Sequence, residues 1–348
     1  MKKYYELYNE IKEKIESGEY KAGEKLPSKR VISDKAGVSV ITVETAYQML
    51  LSEGYIISKE RSGYYVNKID FIGARGKVSH NRLPSYLPET VEKEEKTDPI
   101  YSLIKSARKV LSENENELFY PSNFMGLPKL RNAISKYLSR YRNMFANPSN
   151  IIIGSGAEQL YETVVKILGR NKTYGVENPC YEKIKSVITG EGAKICLLDM
   201  GKDGIKSAEL KKDFSVLHVT PFSSYPSMVT ATIKKRHEYL KWAIEKNAFI
   251  VEDDFASEFF QPGHPIKSLY SLDENNLVIY INTFSKSISP SMRIGYMILP
   301  DSLLDIYKEK LGSYSCSVPV LDQLILAEFI SSGEFERLLN KRRKLLQK

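Results

Sequence analysis

Residues Thr283–Tyr296 read TFSKSISPSMRIGY and follow an apolar run, Val278–Ile281, with the composition of a buried strand. Lys286 brings a primary amine to the end of that strand, with hydroxyls at Thr283, Ser285 and Ser287 and a guanidinium at Arg293. Those groups suit pyridoxal phosphate. The amine condenses with the cofactor's aldehyde, while the hydroxyls and the planar fork of Arg293 match phosphate oxygens. A lone lysine between two serines is ordinarily a solvated turn residue. Three further segments supply the other roles such a site needs and reverse that reading.

Residues 151–156 read IIIGSG and lead into AEQLYETVVKIL, so the amides near Gly156, Ala157 and Glu158 face whatever lies at a helix amino end, where an anion is favoured. Tyr181, in ENPCYEKI at 177–184, offers a ring for stacking on a flat aromatic ligand, and reads equally as a tyrosine half-buried at a helix start. The third segment, VEDDFASEFF at 251–260, ends a strand-like run in two aspartates. A strand-end carboxylate kept ionised by a cationic partner keeps a pyridine nitrogen protonated, and the protonated ring is the better electron sink. One of Asp253 and Asp254 is expected to face inward and the other to be solvated or to cap the next helix. The pattern leaves open which is which.

The elements that must position these groups alternate from residue 99 onward. Helical spacing covers 100–111, 127–142, 157–168, 181–188 and 233–245; strand-like runs cover 151–153, 174–177, 195–198, 216–220, 249–252, 278–282 and 295–299. Such alternation predicts an α/β fold, a mostly parallel sheet with helices on both faces. No internal repeat is present. At 348 residues, 42% apolar and 27% charged, the chain has the length for two domains and the composition of a globular protein. No apolar run is long enough to span a bilayer, and Cys180, Cys196 and Cys316 lack metal-ligand spacing, so a reducing cytoplasm is expected.

Ahead of that body lies a smaller unit. Tyr4, Leu7, Tyr8, Ile11 and Ile15 share one helical face, and Gly18 ends the helix. Ser28 is placed to cap a second helix closed by Gly37, and Ser39 to cap a third closed by Gly54. Two β-prone runs, 55–57 and 64–66, then flank a polar turn, which completes a winged helix-turn-helix. The net charge of +8 does not locate it, since residues 1–66 carry 11 Lys/Arg against 10 Asp/Glu. Residues 68–98, with Pro84, Pro88 and a run of charges, read as a linker between a 1–67 head and a 99–348 body.

The head resembles the GntR-type DNA-binding domain through LPSKR at 26–30, GVSVITVETAY at 37–47, EGYI at 53–56 and SGYYV at 62–66. That resemblance implies that Ser28, Arg30, Ser39, Val40 and Thr42 face double-stranded DNA and that the wing around Arg61 touches its backbone or minor groove. Val40 stands where an arginine is usual. It offers contact to a thymine methyl but no donor to guanine. With the body included, the whole chain resembles the MocR family, a GntR-type head fused to a fold-type-I aminotransferase large domain. The family pattern assigns the aldehyde to Lys286, the pyridinium partner to Asp253, the stacking ring to Tyr181, and the phosphate to Ala157, Glu158, Thr283, Ser285 and Arg293. Tyr120, in LFYPSNFMGLPKLRNAI, resembles a tyrosine that reaches the neighbouring subunit's phosphate, which implies a head-to-tail homodimer.

The chain departs from that pattern at several positions. Phe255 replaces a tyrosine that bonds the cofactor's phenolic oxygen, Ala157 replaces a serine, Ser223 and Ser224 replace His-Gln, and Met228 replaces a glycine. The sequence ends in EFERLLNKRRKLLQK, which resembles the long helix leading to the family's small domain, so the arginine that grips a substrate carboxylate is expected to be missing. Together these features point to a DNA-binding transcription regulator that uses pyridoxal phosphate, or its adduct with an amino compound, as effector. Two other readings are an active aminotransferase with a DNA-binding head and a DNA-binding protein whose body holds no cofactor.

Overall fold

The computed structural model describes residues 3–59, 62–68, 99–113, 117–259 and 267–346. The chain divides into two compact units, 1–90 and 91–348. In the first, α1 (Lys3–Glu16), α2 (Lys29–Ala36) and α3 (Val40–Ser52) precede an antiparallel hairpin of β1 (Ile56–Lys59) and β2 (Gly63–Val66). Capping fixes the turn between α2 and α3. Ser28 Oγ accepts from the Val31 amide at 3.4 Å and Ser39 Oγ from the Thr42 amide at 3.2 Å, each satisfying a first-turn donor. Gly37 closes α2 at φ 61°, a left-handed conformation that side chains disfavour. Leu7, Tyr8, Ile11 and Ile15 of α1 share one buried cluster with Val43, Ala46, Tyr47 and Leu50 of α3 and with Ile56 and Val66 of the hairpin. Tyr47 also donates to the Pro27 carbonyl at 2.7 Å, tying α3 to the entry of α2.

The second unit opens with α4 (Pro99–Glu113) and α5 (Pro128–Arg142), followed by β3 (Ile151–Gly154), α6 (Ala157–Leu168), β4 (Thr173–Asn178), α7 (Glu182–Gly190), β5 (Lys194–Asp199) and β6 (Val216–Val219). It continues through α8 (Ile233–Lys246), β7 (Phe249–Asp253), α9 (Leu269–Leu272), β8 (Val278–Thr283), β9 (Gly295–Ile298), α10 (Asp301–Leu311), α11 (Val320–Ser331) and α12 (Glu334–Leu346). Among the described residues the sheet has seven strands in the order β3-β9-β8-β7-β6-β4-β5. Strands β5, β4, β6, β7 and β8 run parallel to one another, and β9 is antiparallel to both β8 and β3.

Both faces of the sheet are covered, as a parallel sheet requires. Val251, Ile279 and Ile281 pack with Leu160 and Val164 of α6, Ile184 of α7 and Leu303 and Tyr307 of α10. On the opposite face Leu217, Ile250 and Val278 pack with Tyr239 and Trp242 of α8, while Ile153 and Tyr280 join Leu130 and Ile134 of α5 and Phe329 of α11. Helices α10 and α11 were absent from the sequence expectation. Helix α11, VLDQLILAEFIS, is apolar nearly all round and buries Leu324, Leu326, Ala327, Phe329 and Ile330, so it has no polar face from which to read a helical period. Among the described residues no helix is long and apolar enough to cross a membrane, and no group of His, Cys, Asp and Glu is placed to hold a metal ion.

Candidate cofactor site and DNA-facing helix

The parallel strands deliver their carboxyl ends to one side of the sheet, where open α/β folds bind ligands. Glu177 lies at the end of β4, Asp253 ends β7 and Thr283 ends β8. The antiparallel β9 carries its start to the same side: Gly295 pairs with Thr283 on β8 and with Gly154 on β3. This places Arg293, two residues before β9, beside the amino end of α6. There Gly156 has φ 103°, and a Cβ on it would fall 2.9 Å from Arg293 Nη2. Only glycine gives the backbone that approach.

Strand parity separates the two aspartates. Asp253 shares the α6 face with Val251, and Tyr161 of α6 donates a hydrogen bond to its Oδ2. Asp254 turns the other way. It is fully buried, pairs with Arg142 Nη2 at 2.9 Å, accepts from Tyr280 at 2.8 Å, and accepts from the Ser257 amide at 3.1 Å. The expectation of a solvated or capping second aspartate is therefore met only in its capping part, at the short turn Ser257–Phe259. A second correction concerns charge. A cationic partner was expected for the inward carboxylate; Arg142 pairs with Asp254 instead, and among the described residues no lysine or arginine pairs with Asp253. Burial pushes the Asp253 carboxyl up to about 7, partly offset by the Tyr161 bond.

Lys286 lies on the turn after β8. Its ammonium sits 4.7 Å from the centre of the Phe255 ring and 5.4 Å from that of Phe259, and burial pushes its pKa down. A lysine so placed has a larger share of neutral amine, the nucleophilic form. The turn is held from α12: Arg342 donates to the carbonyls of Lys286 at 2.8 Å and Ile288 at 3.0 Å, and Arg343 donates to that of Glu258 at 2.7 Å. Neither arginine was singled out from the sequence, where they fall in EFERLLNKRRKLLQK, the stretch that resembles the family's long helix.

The other expected residues fall as follows. Ser285 Oγ donates to the Met292 carbonyl at 3.0 Å, which braces the loop leading to Arg293. Ala157 and Glu158 open α6, so their amides belong to its first turn. The Glu158 side chain does not leave that turn free. Its carboxylate meets Lys183 at 2.7 Å and Arg293 at 3.3 Å. Tyr181 precedes α7 and is 43% exposed, its ring edge-on to Tyr225 at 6.1 Å. Glu177 is buried, accepts from Ser224 at 2.6 Å and is pushed up to about 8 by burial. Tyr120 is 70% exposed.

These residues fit a pyridoxal phosphate group. A buried carboxylate that pairs with no lysine or arginine among the described residues is complemented by a protonated ring nitrogen; Gly156 leaves backbone and guanidinium together at a helix amino end; and an exposed lysine, its ammonium over the Phe255 ring, stands at the adjoining strand end. Two sequence departures keep their consequence. Phe255 has no donor for a phenolic oxygen, and Ala157 no hydroxyl for a phosphate.

In the head, Arg30 is exposed on α2, and the first turn of α3 presents Val40, 42% exposed, and Ile41, 75% exposed. The hydroxyls of Ser39 and Thr42 lie 2.9 Å apart and engage each other. Ser28 acts as a cap. Arg61 lies outside the described residues. Ile41, the most exposed of these apolar groups, was missed because an isoleucine in a helix reads as core.

The fold and site together define a winged helix-turn-helix joined to an aminotransferase-fold body. Residues 3–66 match the bacterial regulatory proteins of the gntR family, and residues 90–348 match aminotransferase class I and II. The chain is 35% identical to the HTH-type transcriptional regulator YdeL of Bacillus subtilis over 99% of its own length and 77% of the relative's. It is 28% identical to the probable rhizopine catabolism regulatory protein MocR of Rhizobium meliloti, over 98% and 74%, and 27% identical to the pyridoxine biosynthesis regulator PdxR of Corynebacterium glutamicum, over 98% and 75%. Among solved structures it is similar to an archaeal alanine:glyoxylate aminotransferase, TM-score 0.63 at 24% identity, and to the kynurenine aminotransferase of Pyrococcus horikoshii, TM-score 0.65 at 24%. Those matches cover 69% and 72% of this chain, which spans 62% and 64% of those two structures. The chain belongs to the MocR-type family of HTH-type transcriptional regulators, a GntR-family head on an aminotransferase class I and II body.

Proposed function

We propose that the body binds pyridoxal phosphate through Lys286 and that the cofactor, or its adduct with an amino compound, is the signal that alters DNA binding by the head. The observation that supports this reading is Asp253, buried at the strand end beside the Lys286 turn and the Arg293 cup and paired with no lysine or arginine among the described residues. When bound, the group supplies an aldehyde for amines and an electron-withdrawing ring. Asp253 would hold the ring-nitrogen proton at one carboxylate oxygen while Tyr161 keeps the other. Arg293, with the Ala157 and Glu158 amides and the Thr283 hydroxyl, would hold the phosphate, joined by Ser285 once its hydroxyl turns from the Met292 carbonyl; Tyr181, half exposed, would lie against the ring.

Signalling rather than turnover is favoured by Phe255, which packs on Lys286 and has nothing to donate. Exposed Tyr120, with Phe119 beside it at 84% exposure, suits a residue completing the site of a second copy, so a head-to-tail homodimer in the cytoplasm belongs to the proposal. An effector shifts DNA affinity only through its differential affinity for two arrangements of the protein. The test is selection of duplexes from a random pool with and without pyridoxal phosphate. Affinity for the selected site is expected to change at least fivefold with cofactor in the wild type and not at all in Lys286→Ala. Identical affinity with and without cofactor in the wild type would overturn the effector role.

A further inference from the structure

Three charged side chains meet over the amino end of α6. Glu158 Oε1 accepts from Lys183 at 2.7 Å and Oε2 from Arg293 Nη2 at 3.3 Å, while the same guanidinium lies against Gly156. Arg293 is thus already paired with a carboxylate of the chain, at the point from which its fork would grip a phosphate. We propose that Glu158 is an internal counter-anion of the phosphate cup, which weakens the site for a dianionic phosphate ester and so keeps cofactor occupancy reversible. This inference rests on the cofactor reading given above.

The charges set the direction. Lys183 and Arg293 bring two positive charges and Glu158 one negative, so a phosphate ester carrying close to two negative charges meets a cup with only one net positive charge. Glu158 does not escape by protonation: its bond to Lys183, then the charges of Lys183 and Arg293, hold its carboxyl below the usual range. The ligand must therefore take Arg293 from Glu158 or bind beside a like charge. Lys183 offers Glu158 a place to remain, since that contact is the shorter of the two. At a half-exposed site the repulsion is worth about tenfold in affinity. An enzyme that keeps its cofactor through turnover gains from the tightest grip, whereas a sensor needs occupancy that follows concentration.

Titration of pyridoxal phosphate and of pyridoxal, which lacks the phosphate, into the full chain and its Glu158→Gln variant tests this. Glutamine keeps the length and an acceptor oxygen but not the charge. Pyridoxal phosphate is expected to bind the variant about tenfold more tightly, pyridoxal to bind both proteins equally, and inorganic phosphate to compete better in the variant. Equal or weaker binding of pyridoxal phosphate by Glu158→Gln, with the wild type still binding both ligands, overturns the inference and leaves the cofactor reading standing. Binding of neither ligand by either protein overturns both.

Discussion

Asp253 carries the sharpest consequence of any single residue. Its folded pKa, pushed up to about 7 by burial, lies above its unfolded value near 4, so between those values the native chain keeps a proton that the unfolded chain has released. Stability then falls as the pH rises through that window. Asp253→Asn removes the effect while keeping an acceptor for Tyr161. Without cofactor, the variant is expected to be more stable than the wild type at pH 8 by on the order of 1–4 kcal/mol, with the gap closing toward pH 4. Urea unfolding at a series of pH values measures it, and a gap independent of pH would remove Asp253 from its buried, unpaired setting. His218, pushed down to about 4 by burial, adds an opposite slope at acid pH to both proteins and cancels in the difference. Tyr161→Phe removes the bond that holds the Asp253 pKa down. Its pyridoxal phosphate affinity is expected to fall about tenfold at pH 7 and to recover at higher pH, where the carboxyl ionises anyway; a loss that does not recover with pH would assign Tyr161 to packing alone. Lys286, the aspartate pair and Arg293 could be picked out as candidates because chemistry at strand ends needs those types there. The residues alone left the choice between Asp253 and Asp254 to the family resemblance: β7 is buried on both faces, so no polar alternation marks which face meets α6. Tyr161 was hidden for a related reason, since a tyrosine in an amphipathic helix reads as core.

At the scale of elements, α12 is the least expected participant. Arg342 holds the carbonyls of Lys286 and Ile288, so the helix fixes the backbone from which the lysine projects. Arg342→Ala is expected to cost about 1–3 kcal/mol in unfolding free energy and to slow cofactor attachment, and Arg342→Lys to restore only part, because a single ammonium does not reproduce the two-pronged contact. Attachment at the wild-type rate in Arg342→Ala would leave α12 a purely structural neighbour. In the head, the caps at Ser28 and Ser39 were legible from spacing because serine before a helical run has a specific partner, the amide three residues on. Helix α11 gave no such signal. Its nearly all-round apolar surface removes the periodicity that identifies α5 or α6, and only the folded body shows that a helix fills that space.

For the whole molecule, the head supplies the contact with DNA and the body the candidate ligand. Arg30→Ala is expected to weaken binding to the selected duplex and to reduce the slope of log K against log salt by about one, the signature of one released counterion. An unchanged slope would move Arg30 off the backbone. The order of the parts was legible in the sequence because each half has its own punctuation: glycine-closed short helices in the head, alternating strands and helices in the body. What remained hidden was side-chain placement, above all the carboxylate of Glu158 set on Arg293. The most direct test of the account is the absorbance spectrum of the purified protein with pyridoxal phosphate, before and after borohydride, beside Lys286→Ala. The account predicts a long-wavelength band that borohydride removes while fixing the cofactor to the peptide holding Lys286, with band and labelled peptide both absent from the variant. A band of equal size in Lys286→Ala, or none in the wild type, would contradict it.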